Sequence, residues 1–266
     1  MQRVTHHDLV YYQFDRLARA FGVAHGVFTR LGGVSPKPFD SLNVGSTVGD
    51  EIANVQANRE SMAAALGACD ADTRTTWQIH GADVVVARGR AAQGWPPPQA
   101  DGIITNEREL PLAMRFADCV PLVFYDPVQQ AIGLAHAGWR GTVAGIGPAT
   151  IKAMEGAFGS RPADIIAGIG PSIGPCCYEV GADVTQQIED SFGTLEGLIH
   201  RQAGNGNRPH LDLWVANRLA LAQAGVTVIE VAGICTASNT DEFFSHRAEA
   251  GQTGRFGALI SLSGAG

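Results

Sequence analysis

A cysteine and a histidine flank two apolar runs of the sequence. Cys119 lies immediately before the run at 120–125, and His136 follows the run at 131–135. The turn-forming residues 126–130 join the runs, which predicts an antiparallel hairpin. The start of one strand then lies beside the end of the next, so the thiol and the imidazole should be neighbours. Such a pair is typical of half a metal site or of a nucleophile with its base.

His80 is a candidate third ligand, because it also lies at a predicted strand end. Strands expected over 75–79 and 84–87 flank the turn that contains it. Two imidazoles and one thiolate form a donor set that suits zinc, and three protein ligands leave the fourth tetrahedral position to water or substrate. No closely spaced ligand pair is present, so spacing alone leaves open a core cysteine and hydrogen-bonded histidines.

Two arginines are candidates for binding an anion near these residues. Arg140 lies within 138–142, where a helix is predicted to begin, and a helix N-terminus with a guanidinium suits phosphate. Arg59 lies on the apolar stripe of a helix predicted over 51–66, where a buried cation needs a partner or an anion. The alternatives are a surface ion pair for Arg140 and a snorkelling side chain for Arg59.

Composition restricts the class of protein. The chain of 266 residues is 45% hydrophobic and has a net charge of −7, so we expect a substantial core and no nucleic-acid surface. We find neither a signal-peptide run nor a stretch of membrane-helix length, and therefore expect a cytoplasmic protein without a membrane partner. The odd number of cysteines, 5, favours free thiols over a disulfide framework.

The predicted elements mix hairpins with helices. Strands are expected over 26–29, 101–105, 112–116, 164–169, 226–231 and 258–262, and helices over 51–66, 180–192 and 211–224. Another helix, over 142–158, contains Pro148, which should bend it or delay its start. A proline-rich connector is expected over 91–100 and a polar loop over 201–209. This order favours an α+β fold with mixed, largely antiparallel sheets.

Motifs throughout the chain resemble the YfiH family, also called the laccase-domain or multicopper polyphenol oxidoreductase family. The most specific are Ala117-Asp118-Cys119-Val120-Pro121 and His136-Ala137-Gly138-Trp139-Arg140-Gly141. Others lie at 41–45, 58–59, 78–81, 100–102, 169–171, 177–180, 211–213, 235–236 and 243–245. The resemblance implies one domain over residues 1–266, a layered α/β sandwich.

The resemblance also implies a site and an activity. It implies a zinc ion held by His80, Cys119 and His136. It further implies phosphorolysis of adenosine, inosine or S-methyl-5'-thioadenosine and deamination of adenosine. In members that edit peptidoglycan, the implied activity is removal of L-serine from a UDP-MurNAc precursor. The candidate substrate-binding residues in the matching motifs are Asn43, Arg59, Gln78, Arg140, Cys177 and Arg247.

Four positions depart from the family pattern that we expect. Trp77 replaces a basic residue, His246 a tyrosine and Ala248 an arginine, and Pro148 enters a helix expected to be unbroken. These differences leave the three metal ligands intact. They bear instead on substrate specificity.

Three hypotheses follow. The first is a zinc-dependent purine nucleoside enzyme in which Arg59 or Arg140 holds phosphate and Asp118 orients a ligand or transfers a proton. The second is a hydrolase in which Cys119 attacks an amide and His136 is its base. The third is a sensor of a nucleotide or cell-wall precursor with structural zinc.

Copper oxidation is disfavoured. A multicopper oxidase needs about ten metal ligands, with paired His-x-His motifs. This chain has 8 histidines, and none of them forms such a motif.

Overall fold

The computed structural model describes residues 1–89, 96–201 and 207–263. Its strands are β1 (Gln2–His6), β2 (Leu9–Gln13), β3 (Val23–Phe28), β4 (Val84–Val86), β5 (Gly102–Thr105), β6 (Leu112–Phe116), β7 (Val120–Asp126), β8 (Ala131–Ala137), β9 (Ile166–Ile169), β10 (Ile199–Arg201), β11 (Pro209–Leu211), β12 (Val228–Val231) and β13 (Phe256–Leu262). Its α-helices are α1 (Asp15–Arg19), α2 (Ile52–Ala65), α3 (Trp139–Val143), α4 (Ile146–Phe158), α5 (Ala182–Phe192) and α6 (Leu213–Gln223).

Two large sheets organise these elements. A 5-stranded sheet has the order β1-β2-β3-β13-β6 and is antiparallel throughout. A 6-stranded sheet has the order β12-β9-β7-β8-β5-β4, in which only the two outermost pairs are parallel. Strands β10 and β11 form a separate small pair. The predicted α+β fold with mixed, largely antiparallel sheets is therefore confirmed.

The layers follow from three apolar clusters. One cluster fills the gap between the two sheets and includes Phe116, Val123 and Phe256. A second packs the outer face of the 6-stranded sheet against α4, α5 and α6. A third packs α2 on the outer face of the 5-stranded sheet. The result is a sandwich of helix, sheet, sheet and helices.

Strands β7 and β8 are buried on both faces, which explains their nearly continuous apolar sequences. Side chains alternate between the layers, so Ile132 and Leu134 of β8 face the gap between the sheets. His136 has the same parity and lies with its ring centroid 5.5 Å from that of Phe116. The imidazole therefore faces the end of the gap.

Pro148 is accommodated by a break in the predicted helix. Two helices, α3 and α4, replace it, and Gly145, with φ of 80°, precedes α4. A proline in a first helical turn removes no intrahelical hydrogen bond. Thr142 lies within α3 and does not begin the helix. The prediction that Pro148 delays the start of the second helix is thus confirmed.

Other local predictions differ from the structure. Residues 75–79 do not form a strand, because Trp77 makes one isolated bridge to Gln99 and the preceding Arg74 makes a separate one to Leu112. The first two strands were not predicted from the polar N-terminal sequence. Parts of the expected connector (residues 91–95) and polar loop (residues 202–206) lie outside the described residues. No helix in the described ranges is both long and apolar enough to cross a bilayer.

His25 makes stability depend on pH. Its Nε2 accepts a hydrogen bond from the Phe14 backbone N–H at 2.8 Å, and burial lowers its pKa to about 4. The unfolded chain takes up this proton below its ordinary pKa and the folded chain does not. Acidification from about pH 6.5 to pH 4 should therefore cost about 3 kcal/mol of unfolding free energy.

Chemical denaturation of His25→Gln tests this expectation. The pH dependence of its unfolding free energy should be shallower than that of the wild type over this range, since glutamine has no proton to gain. His6→Gln, at an exposed position, is the matched control and should keep the wild-type slope. Equal slopes for the wild type and His25→Gln would contradict the expectation.

Candidate metal and substrate site

Cys119, His136 and His80 converge at one end of the gap between the sheets. Their ligand atoms all lie within 4.8 Å of one another. The β7–β8 register pairs Pro121 with His136, which brings Cys119 diagonally next to the imidazole and confirms the predicted hairpin. Zinc bonds of about 2.1 Å to nitrogen and 2.3 Å to sulfur imply ligand separations of about 3.4–3.6 Å. The residues present therefore fit one tetrahedral ion.

Gly138 permits this close approach. A Cβ atom at this position would lie 2.8 Å from Cys119 Sγ and 3.4 Å from His80 Cδ2. The space above residue 138 is thus occupied by the ligands themselves. Any larger residue would push the thiol away from the two rings.

Asp101 holds two of the three candidate metal ligands, a role that sequence reasoning missed. It is fully buried, and its Oδ1 lies 2.8 Å from His136 Nδ1. Its Oδ2 accepts hydrogen bonds from the backbone N–H groups of Ile79 and Gly81, on either side of His80. One carboxylate therefore fixes the His136 ring and the His80 turn. Residues 100–102 matched a family motif, but that motif gave Asp101 no role.

The ligands form a charged pair. Burial acts to raise the pKa of Cys119, but His136 and His80 lower it to about 6. Burial acts to lower the pKa of His136, but the Cys119 thiolate and Asp101 raise it to about 9. These opposite shifts favour a thiolate paired with an imidazolium in the metal-free protein. The thiolate is also the form that binds a metal.

We expect Asp101→Asn to weaken metal binding about 10- to 100-fold, the usual cost of losing an outer partner of a ligating histidine. The amide cannot act as an anion toward the His136 ring. Competition with a chromogenic chelator measures the change. Asp126→Asn, which alters another buried carboxylate at the far end of β7, is the control. Unchanged affinity in Asp101→Asn would contradict the expectation.

The ligands lie where two cavities meet. The larger has a volume of about 490 Å³ and the smaller about 130 Å³. Both are lined by His80, Asp118, Cys119, Ile173 and Tyr178. Gly138, Trp139, Arg140 and Leu213 complete the smaller one. Arg140 therefore lies on one side of the ligands, with its guanidinium 4.4 Å from the Trp139 ring.

Two unpredicted arginines, Arg115 and Arg255, line the larger cavity. Burial, followed by the charges of Arg59 and Arg255, lowers the pKa of Arg115 to about 10. Within the described ranges, the side-chain hydrogen bonds of all three arginines go to backbone carbonyls and to Gln78, and none goes to a carboxylate. This cluster of guanidinium groups, which donates no hydrogen bond to a carboxylate among the described residues, is suited to an anion.

The predicted substrate-binding residues occupy different places. Gln78 lines the larger cavity and accepts a hydrogen bond from the Arg115 backbone N–H, and Arg247 also lines it. Asn43 is fully buried behind the wall, where its Oδ1 accepts from the Arg255 backbone N–H at 2.8 Å. Arg59 donates to the Val44 carbonyl, also behind the wall.

Cys177 is turned away from both cavities, and its Sγ lies 3.1 Å from Ser238 Oγ.

Asp118 positions Arg247. Its backbone has φ of 83°, a left-handed conformation that aspartate tolerates better than most residues. One carboxylate oxygen accepts a hydrogen bond from Thr236 Oγ1 and the other from the Arg247 backbone N–H, both at 2.7 Å. Asp118 thus lines the cavity with both of its oxygens already engaged.

Aromatic side chains complete the larger cavity. Trp77, 49% exposed, and His246 both line it, so two of the departures from the family pattern lie in the wall of this cavity. Tyr178, which sequence reasoning did not select, lies between the cavities. Burial and the Cys119 charge raise the pKa of Tyr178, so its phenol stays protonated.

Comparisons with known proteins identify the family. The family model described as multi-copper polyphenol oxidoreductase laccase matches residues 24–263. A protein of Deinococcus radiodurans named purine nucleoside phosphorylase is 42% identical over 240 residues, covering 90% of this chain and 89% of that protein. Purine nucleoside phosphorylase YlmD of Bacillus subtilis is 40% identical over 248 residues, covering 90% and 88% respectively.

A solved structure agrees with this assignment. The crystal structure of the hypothetical protein YfiH of Bacillus licheniformis superposes with a TM-score of 0.87 at 35% identity, covering 96% of this chain and 97% of that one. The chain therefore belongs to the multicopper polyphenol oxidoreductase laccase family, which includes the YfiH and YlmD proteins.

Proposed function

We propose that this chain is a zinc-dependent purine nucleoside enzyme that phosphorolyses adenosine, inosine and S-methyl-5'-thioadenosine and deaminates adenosine. The observation that carries the proposal is one cavity that combines two imidazoles and a thiol with the guanidinium groups of Arg115 and Arg255. The purine nucleoside phosphorylase names of the relatives support the same substrate class.

His80, Cys119 and His136 would hold the zinc ion. When bound, zinc supplies a Lewis acid with a coordination position left for substrate or water. Nitrogen and sulfur donors suit this ion, and Asp101 fixes the tautomer of His136 by occupying Nδ1. The ring then presents Nε2 as its ligand atom.

Arg115 and Arg255 bind phosphate beside the ligands in this mechanism. A guanidinium matches two phosphate oxygens at once, and burial strengthens the attraction. The bound phosphate attacks C1' of the ribose, the C1'–N9 bond breaks, and the purine leaves with the bonding electrons and takes up a proton. Ribose 1-phosphate and the free base result. The arginines hold the attacking oxygen in place.

The larger cavity provides the nucleoside site. Its volume of about 490 Å³ is within the usual range for small-molecule sites, about 300–1,000 Å³. The Trp77 and Tyr178 rings offer apolar faces to a purine. Gln78 and Arg247 supply polar groups at the same wall. In the proposed binding mode, the base packs against the aromatic rings and the phosphate lies against the arginines.

Turnover of adenosine by zinc-loaded protein tests the proposal. With phosphate present, chromatography should detect adenine and ribose 1-phosphate. Without phosphate, inosine from deamination should remain as a product. The Cys119→Ser variant, purified in parallel, controls for contaminating enzymes. The proposal fails if neither product forms while the protein carries zinc.

The charged Cys119–His136 pair favours a second candidate, an amide hydrolase for a UDP-MurNAc-L-Ser precursor. The thiolate attacks the amide carbon, His136 donates its proton to the leaving amine, and water then hydrolyses the thioester. Asp101 would orient the imidazole, as in other nucleophile–base pairs.

Metal-free protein distinguishes the two candidates. The hydrolase should release serine in the presence of a chelator and lose activity when Cys119 is alkylated. This candidate is ruled out if serine is released only in the presence of zinc, or if no serine is released.

A further inference from the structure

A second cluster of sulfur ligands lies outside the substrate cavities. The Sγ atoms of Cys176, Cys177 and Cys235 all lie within 4.8 Å of one another. Cys176 and Cys177 belong to the turn that follows β9, and Cys235 lies just after β12. A parallel bridge between Ser172 and Cys235 aligns the two segments. The topology of the sheet thus brings Cys235 next to Cys176 and Cys177, from which it is distant in sequence.

We propose that Cys176, Cys177 and Cys235 form a second metal site, for a thiophilic d¹⁰ cation such as Zn²⁺ or Cu⁺. Metal–sulfur bonds of about 2.3 Å imply sulfur separations of about 3.8 Å in a tetrahedral site and about 4.0 Å in a trigonal one. The separations in the structure, at most 4.8 Å, are close to these values. Thiolate ligands select these ions over harder cations.

Hydrogen-bond donors surround the sulfur atoms. The Gly174 backbone N–H donates to Cys235 Sγ at 3.2 Å. Ser238 Oγ lies 3.1 Å from Cys177 Sγ and 3.4 Å from Cys176 Sγ. The Gly174 N–H stabilises a thiolate at Cys235, and the single hydroxyl proton of Ser238 can be donated to one of the other two sulfur atoms. Ser238 is also placed to serve as a fourth, oxygen ligand.

The cluster has an entry path for a cation. Cys235 is buried, Cys177 is half-buried and Cys176 is exposed. A cavity of about 500 Å³ is lined by Cys176, Cys235 and Ser238. An ion can therefore enter from solvent on the Cys176 side and meet the buried sulfur last.

The second site is separate from the first. Cys177 turns its Sγ toward Ser238, whereas its neighbour Tyr178 lines the substrate cavities. The two sites thus use different side chains of the same turn. The first offers one sulfur and the second offers three, which makes them distinguishable by spectroscopy.

Cadmium titration of reduced Cys119→Ser protein tests the proposal, because this variant lacks the thiolate of the first site. One equivalent of Cd²⁺ should produce an ultraviolet sulfur-to-metal charge-transfer band of three-thiolate intensity. Adding Cys176→Ser should lower the intensity by about a third, and adding Cys235→Ser should do likewise. Cys176 is exposed, so its variant remains informative if the buried Cys235→Ser variant fails to fold. Adding Cys69→Ser, another exposed thiol, should change nothing.

The proposal is overturned if reduced Cys119→Ser protein gives no band, or a band that Cys176→Ser leaves unchanged. Competition with chelators selective for Zn²⁺ and for Cu⁺ then identifies the occupant. The ion that stays bound to the protein in the presence of its selective chelator is the one that the site binds. Release of both ions to chelators of micromolar affinity would also overturn the proposal.

Discussion

Cys119→Ser is expected to remove one equivalent of bound metal and to lower purine nucleoside turnover by at least about a thousand-fold. The substitution replaces an anionic ligand with a neutral hydroxyl. Loss of an outer partner alone costs about 10- to 100-fold in metal affinity or activity, so loss of a ligand that contacts the ion should cost more. His136 also loses the neighbouring charge that raises its pKa to about 9.

Elemental analysis and single-substrate kinetics measure these effects. The informative quantity is the difference in metal content between Cys119→Ser and Cys69→Ser, since Cys69 is an exposed thiol outside the site. Cys69→Ser should retain the wild-type metal content and turnover. Equal metal content in the two variants would show that Cys119 is not a ligand.

Arg255→Gln is expected to raise the KM for phosphate about 30- to 4,000-fold. Truncating one member of a buried, hydrogen-bonded charge pair costs about 2–5 kcal/mol, and each 1.4 kcal/mol is tenfold. Arg255 lines the cavity and is itself largely desolvated, which lowers its pKa.

Phosphate-dependent kinetics separate this effect from general damage. Phosphorolysis should be impaired at low phosphate, whereas adenosine deamination, which uses no phosphate, should stay within a few-fold of the wild type. Arg161→Gln removes an exposed guanidinium outside both cavities and should leave both reactions unchanged. A parallel loss of both activities in Arg255→Gln would contradict a specific role in binding phosphate.

The sequence by itself predicted the centre of the site, because the relevant signals are local. The apolar runs and their turn predict the β7–β8 hairpin, and the strand period then places Cys119 and His136 side by side. Strands buried on both faces leave no polar alternation, so the two reactive side chains stand out at the strand ends. The fold class followed for the same reason, since hairpins have short-range signals.

Only the tertiary structure decided what surrounds that centre. The pairing of β5 with β8 brings Asp101 into hydrogen-bond contact with His136. The pairing of β6 with β13 brings Arg115 near Arg255. These partners lie in distant parts of the chain and have no spacing of their own to reveal them. Asn43 and Cys177 show the opposite case. They were predicted as substrate-binding residues because they lie in matching motifs, but packing directs their side chains away from the cavities. Strand pairing between distant segments sets these contacts, and it depends on the whole core.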